Sequence, residues 1–149
     1  MDSGRVEQIN IGPLREVPAP VERVQAHAGK GLLGNRYYFD DGAEPGRALT
    51  LIAAEAIEGM AAEHGVEITA AESRRNVLTR GIDLNALVGK RFSVGDVECV
   101  GVELCEPCKH LEGVTRPGVI KGLAHRGGLN ADILTDGEIA VGDEVVALD

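Results

Sequence analysis

A chain of 149 residues with 44% hydrophobic and 26% charged residues excludes a disordered, collagen-like or low-complexity protein, and at this length roughly 70% of the unfolded surface can be buried without disulfides or a structural metal. Fifteen Lys and Arg against 24 Asp and Glu leave a net charge of −9, a sign that repels phosphate backbones and argues against a nucleic-acid partner unless basic residues cluster. No apolar run approaches the ~20 residues of a membrane span, residues 1–7 lack the layout of a signal peptide, and three cysteines are too few for a secreted disulfide scaffold, so one domain over residues 1–149 in a reducing cytoplasm, with no membrane partner, is expected.

Glycine supplies 20 residues while aromatics are only 3%, which predicts short strands, tight turns and a core of Val, Leu, Ile and Ala. Residues 5–11 alternate polar and apolar as a half-buried strand does, and Gly12-Pro13 ends the run. Pro18-Ala19-Pro20 is a stiff connector, and residues 21–28 alternate again. Residues 29–36 form a glycine-rich loop, and 40–46 a polar turn expected to be exposed and mobile. A strand over 47–52 leads into the one clear helix, 53–64, where Ile57, Met60 and Ala61 recur at helical spacing and Gly65 stands at the C-cap position. Residues 73–81 read as a strand reached through a basic cluster. Beyond Leu87 the pattern is all-β: strand and turn over 88–96, a strand over 97–104, and closing strands at 129–134 and 141–148. Two stretches there, 106–111 and 116–123, are each long enough for about two helical turns. Asp136-Gly137 and Gly142-Asp143 are turn signals. Seven or so short strands around one or two helices predict a mainly β fold, a small closed or nearly closed β-barrel.

The segment Val102-Glu103-Leu104-Cys105-Glu106-Pro107-Cys108-Lys109-His110 carries the most chemistry, and four readings of it stand open. As a zinc site, Cys105 and Cys108 have ligand spacing and His110 is a third candidate, but the only further cysteine is Cys99 on the preceding strand. As a haem attachment it fails, because Lys109 separates Cys108 from His110. As a thioredoxin-like pair the spacing is right, and Pro107 before a short helix sets a thiolate near a positive helix end, yet the βαβ context of such motifs is missing around it. The fourth reading is a single working thiolate at Cys108, with Lys109 and His110 beside it and Pro107 stiffening its loop. Cys99, inside a strand, reads as a buried, inert small hydrophobe.

Arg-Asn-Val at 75–77, Leu-Val-Gly at 87–89, Phe-Ser-Val-Gly-Asp at 92–96, Leu-Cys-Glu-Pro-Cys at 104–108 and His-Arg-Gly-Gly-Leu at 125–129 occur in that order, after the loop Gly34-Asn35-Arg36-Tyr37. The ordered set resembles the MOSC domain, named for the C-terminal domain of molybdenum cofactor sulfurases, from about residue 29 to residue 146. The resemblance implies a stand-alone MOSC-like β-barrel with a few helices. It also implies a cysteine after proline, here Cys108, that carries sulfur as a persulfide or ligates molybdenum in a pterin-based cofactor. Cys105 is not a general feature of the family; it stands either as a thiol that resolves a persulfide on Cys108 by forming a disulfide, or as packing.

Arg74, Arg75 and Asn76 match the residues with which cofactor-binding members hold the pterin phosphate and ring edge: a guanidinium grips phosphate bidentately, and an amide pairs with a heterocycle. Arg36 matches the family's Gly-Asp-Arg, with Asn35 in place of the acid. The loop 29–36 could cradle an anion through backbone N–H groups, and Lys30, His27 and His125 are lesser candidates for the pocket wall, since a lone histidine is more often structural or exposed.

The function expected is therefore sulfur handling or molybdenum-cofactor binding, by a sulfur carrier, sulfurtransferase or molybdenum-dependent oxidoreductase. Cys105, Cys108, Lys109 and His110 form the reactive group, and Arg36, Arg74, Arg75, Asn76, Lys30 and His125 the cofactor-holding group. Cleavage of a carbon–sulfur bond in a small substrate by a Cys108 thiolate and a non-catalytic binding barrel stand as alternatives. A cysteine desulfurase is the implied sulfur donor, with pyridoxal phosphate confined to that partner.

Overall fold

The computed structural model describes residues 3–13 and 17–149. Its strands are β1 (Ser3–Ile11), β2 (Ala19–Val21), β3 (Arg23–His27), β4 (Gly31–Leu32), β5 (Leu49–Ala53), β6 (Val77–Arg80), β7 (Arg91–Val94), β8 (Val97–Leu104), β9 (Leu129–Ile133), β10 (Gly137–Ala140) and β11 (Glu144–Ala147). Three helices, α1 (Ala54–His64), α2 (Lys109–Val114) and α3 (Val119–Gly122), accompany them, with a 3-10 turn at Leu84–Leu87. No helix among the described residues is long and apolar enough to cross a membrane.

Seven strands close on themselves in the order β1-β11-β7-β8-β9-β5-β6, and β6 pairs back onto β1. Every neighbour is antiparallel except β5 and β6, which run parallel. A parallel pair needs a crossover, and α1 supplies it. Gly65 ends that helix at φ 66, with its N–H donated to the Ala61 carbonyl, a left-handed conformation open to glycine at little cost. β2 extends the sheet outside β1, and a second sheet, β10-β3-β4, packs against the barrel.

Alternation decides what faces inward. Val6, Ile9, Leu49, Leu51, Val77, Phe92, Val97, Leu129 and Val145 are fully buried in one core, which Val24, Leu32 and Ile139 of the smaller sheet join. A separate apolar layer lies under the helices, where Ala56 and Met60 of α1 meet Ile52, Ile68, Leu111, Val119 and Leu123. Leu111 of α2 and Val119 of α3 thereby anchor the segment that follows the cysteines.

The closed barrel of seven strands agrees with the expectation from sequence; among the described residues β2, β3, β4 and β10 lie outside it. β10 falls where only a turn is expected, because its four residues, Gly-Glu-Ile-Ala, are too few to show alternation. Its pairing with β3 is decided across the chain, where Glu138 meets Arg23 and Gln25 at 3.4 and 3.2 Å. α2 and α3 start three residues later than the stretches read from sequence, since Cys108 remains extended at φ −129 and ψ 172 and Gly118 takes φ 98.

Candidate functional site

A cleft of about 660 Å³ opens where the approach to β6, the end of β8 and the start of β9 meet, a size that suits a small-molecule ligand. Its wall draws on segments far apart in the chain: Asn35, Arg36 and Tyr37; Pro45, Gly46 and Arg47; Arg74, Arg75 and Asn76; Glu103, Cys105 and Cys108. A bulge between Gly101 and Glu103 shifts the register of β8 against β9. Bulges re-aim side chains, and beyond this one Glu103 and Cys105 both line the cleft.

The cysteine loop is held by backbone and one buried cation. The Cys105 N–H donates to the Gly128 carbonyl at 2.8 Å. Arg75, only 8% exposed, donates from Nη2 to the Cys105 carbonyl (3.0 Å), from Nε to the Gly127 carbonyl (2.8 Å) and from Nη1 to the Ser73 carbonyl (3.2 Å). Gly127 permits this closeness: a Cβ there would stand 2.5 Å from the Cys105 carbonyl oxygen and 2.8 Å from Pro107 Cδ. On the outer side, the Glu106 carboxylate accepts the His125 backbone N–H (2.7 Å) and faces His125 Nδ1 (2.9 Å). Asn85 Nδ2 in turn donates to the His125 carbonyl. Among the described residues, Arg74 and His125 are the two non-glycine residues at positive φ, both 62°, a conformation that costs energy and concentrates at functional sites.

The three thiols are free and differently placed. Cys99 is fully buried in the barrel, and burial pushes its thiol up to about 12. Cys105 is half-buried; burial raises its pKa, opposed by the Arg75 and Arg47 charges. Cys108 is exposed and caps α2, its carbonyl accepting the Glu112 N–H at 3.0 Å.

Positive charge is concentrated in the cleft. Two guanidinium groups approach the Tyr37 ring, Arg47 at 5.4 Å and Arg36 at 5.8 Å from its centroid, within cation–π range. Arg36 Nη2 also donates to the Arg74 carbonyl, and burial, then Arg74, lowers the Arg36 pKa. Among the described lining residues Arg36, Arg47, Arg74 and Arg75 face one carboxylate, Glu103. On a chain of net charge −9, this is a local inversion of sign.

The structure thus brings together Cys105, Cys108, His110, Arg36, Arg74, Arg75 and Asn76. Two of them are committed to the protein itself. Arg75 spends its donors on carbonyls, and Asn76 is buried with Oδ1 accepting from the Thr50 N–H and hydroxyl (both 3.1 Å) and Nδ2 donating to the Asn10 carbonyl (3.1 Å). Lys30, Lys109 and His125 stand outside the cleft wall, and His27 bonds Tyr38 Oη at 2.7 Å.

The anion cradle expected of loop 29–36 is corrected: the N–H groups of Gly29, Lys30, Leu33, Asn35 and Arg36 donate to protein carbonyls. The zinc reading is corrected too, because no group of three or more His, Cys, Asp or Glu among the described residues is arranged to hold a metal. The chain does contain a βαβ unit, β5-α1-β6, but the cysteine pair lies outside it. Sequence reasoning passes over Arg47, Thr50, Glu103 and Asn130 as wall residues. Arg47 alone carries a local signal, a cation closing the acidic turn 40–46.

A family model described as the MOSC domain matches residues 25–146. Among solved structures, the YUAD protein from Bacillus subtilis superposes with a TM-score of 0.82 at 17% identity, covering 96% of this chain and 94% of that one. YiiM from Geobacillus stearothermophilus gives 0.75 at 17% identity (98% and 75% covered), and YiiM from Escherichia coli 0.72 at 16% (97% and 70%). At such identities the likeness shows a shared fold. No curated protein matches in sequence.

Proposed function

Because the chain belongs to the MOSC domain family, we propose that it handles sulfur, taking up sulfane sulfur on Cys108 as a persulfide beside a bound small anion. One observation carries this reading: the exposed thiol among the three lines a cleft whose wall holds Arg36, Arg47, Arg74 and Arg75 against Glu103. A persulfide anion, and an anionic molecule that delivers or receives the sulfur, both gain from guanidinium groups in a partly desolvated setting.

Loading needs no redox co-reactant. The Cys108 thiolate attacks the outer sulfur of a donor persulfide, the donor's S–S bond breaks, an S–S bond forms on Cys108, and the donor leaves as a thiolate. A desulfurase-bound cysteine persulfide is a donor of that class, and the pyridoxal phosphate chemistry that makes it stays with the partner.

The size and arginines of the cleft favour a second reading, a pterin-based molybdenum cofactor. The donor set fits: Cys108 is a soft ligand for the metal, and Arg36, Arg47 and Arg74 suit a phosphate. Arg75 and Asn76 would shape the wall, their donors being engaged already. The group would supply redox chemistry when bound, while the chain's own residues hold and orient it.

Intact-mass measurement, native and denaturing, on chain purified from cells that make molybdenum cofactor separates the two. A gain of one sulfur atom, lost on adding reductant and absent in Cys108→Ala, supports the persulfide. A non-covalent adduct of pterin-cofactor mass moves the assignment to the second reading. Neither species, together with full biological activity in Cys108→Ala, overturns both and leaves a non-catalytic binding barrel.

A further inference from the structure

Three features remain after Cys108 is assigned a role. A second free thiol, Cys105, lines the same cleft three residues away. Its carbonyl is held by Arg75 and its N–H by Gly128, so the backbone of Cys105 is fixed from both sides. Arg75 itself is a buried cation whose acceptors are all neutral carbonyls, and none of the ion pairs among the described residues includes it. A buried charge without a counter-charge is costly. The ionisable groups that share its cleft include the two thiols, Glu103 and His110; the loop it holds also carries Glu106, which is engaged with His125.

Packing alone does not account for Cys105. A cysteine kept as a small hydrophobe belongs in an apolar core, as Cys99 is. Cys105 is instead half-buried in the wall of a cleft that holds four arginines, is not a member of either apolar cluster, and feels the Arg75 and Arg47 charges. Its exposure relative to Cys108 suits a division of labour: the exposed sulfur meets an incoming donor, and the sheltered one meets only what Cys108 brings.

We propose that Cys105 is the resolving thiol of Cys108, so that the pair releases bound sulfane sulfur as sulfide, with Arg75 as the positioning residue that holds the loop. The inference rests on Cys108 carrying a persulfide. In the step, the Cys108 persulfide and the Cys105 thiol become a Cys105–Cys108 disulfide and one molecule of hydrogen sulfide. The Cys105 sulfur attacks Sγ of Cys108, the bond from that Sγ to the outer sulfur breaks, and the outer sulfur leaves with the electron pair and takes up the thiol proton. The Cys105 sulfur is oxidised and the outer sulfur reduced, each by one electron in formal count. A small dithiol or dithiol protein then returns the disulfide to two thiols. The class of activity is sulfide release from a persulfide, distinct from passing the sulfur intact to an acceptor.

The test treats the reduced full-length chain with inorganic tetrasulfide, removes the excess, and follows intact mass, peptide-mapped cysteine state and sulfide released before any dithiol is added. The wild-type chain is expected to lose two hydrogens, to show the 105–108 disulfide and to release sulfide. Cys105→Ser and Cys105→Ala are expected to stop with one added sulfur on Cys108 and to release at least tenfold less sulfide. Equal sulfide release by wild type and both Cys105 variants, with Cys108 loaded in all three, overturns the resolving role and leaves the Cys108 assignment standing. Sulfur retained on Cys105 in Cys108→Ser, with none on Cys108 in the Cys105 variants, overturns the order of the pair and the Cys108 assignment together.

Discussion

Arg75→Met tests the idea that one buried cation organises the cysteine loop. The guanidinium makes three hydrogen bonds, to the carbonyls of Ser73, Cys105 and Gly127, while methionine nearly preserves its volume and donates nothing. With a net worth of about 1 kcal/mol each, their loss costs about 3 kcal/mol. Relief of the buried, unpaired charge works in the opposite direction, and water reaching the cleft rehydrates part of what is exposed, so about 2–3 kcal/mol is the expected net loss. For a domain of this size about 2–4 °C of Tm accompanies each kcal/mol, which gives a fall of about 4–12 °C. Scanning calorimetry with a urea titration measures both quantities on the same protein. A Tm within about 2 °C of wild type would refute the reasoning, because roughly 1 kcal/mol is less than the three bonds can be worth together.

The remaining predictions concern the same loop and the surface. Gly127→Ala places a methyl group 2.5 Å from the Cys105 carbonyl, so the loop must move; a loss of about 1–3 kcal/mol and an altered Cys108 alkylation rate are expected, and calorimetry with timed iodoacetamide labelling checks both. Labelling of the native chain at pH 8 should modify Cys108 first, Cys105 more slowly because burial raises its pKa, and Cys99 only after unfolding, its thiol being pushed up to about 12; peptide mapping reads the order, and early modification of Cys99 would contradict the fold. Acid stability follows from Glu72, Glu63 and Asp149. Their pKa values are depressed by the Thr69 backbone N–H with Arg116, by Arg126, and by the Arg91 backbone and side chain respectively. A depressed folded value means that the contribution is complete above the unfolded carboxylate range of about 4 and is lost as pH falls through the folded values. Urea midpoints should therefore fall at low pH, and Glu72→Gln should flatten that fall.

The barrel was largely legible in the chain because alternation, turns and a helix cap are local properties. Residues 5–11 read as a strand, although a bulge between Val6 and Gln8 breaks their alternation, Gly65 stops α1, and Val97–Leu104 reads as a strand from its own residues. The order of short motifs pointed to the family for a related reason: each motif is tied to a local turn or strand whatever the rest of the chain does. Closure of β11 onto β1 and the pairing of β10 with β3 were decided in three dimensions, since both join segments more than a hundred residues apart.

The site divides in the same way. That Cys108 follows a proline and that arginines cluster at 74–75 can be read from neighbours along the chain. That Arg75 and Asn76 turn inward, donating to the carbonyls of Cys105, Gly127 and Asn10, depends on acceptors 30, 52 and 66 residues away. A sequence shows which groups can donate; only the folded chain shows which acceptors have already taken them. For the same reason Arg47 and Tyr37, not named as site residues from sequence, join Arg36 at the cleft while the lesser candidates Lys30 and His125 stand outside it.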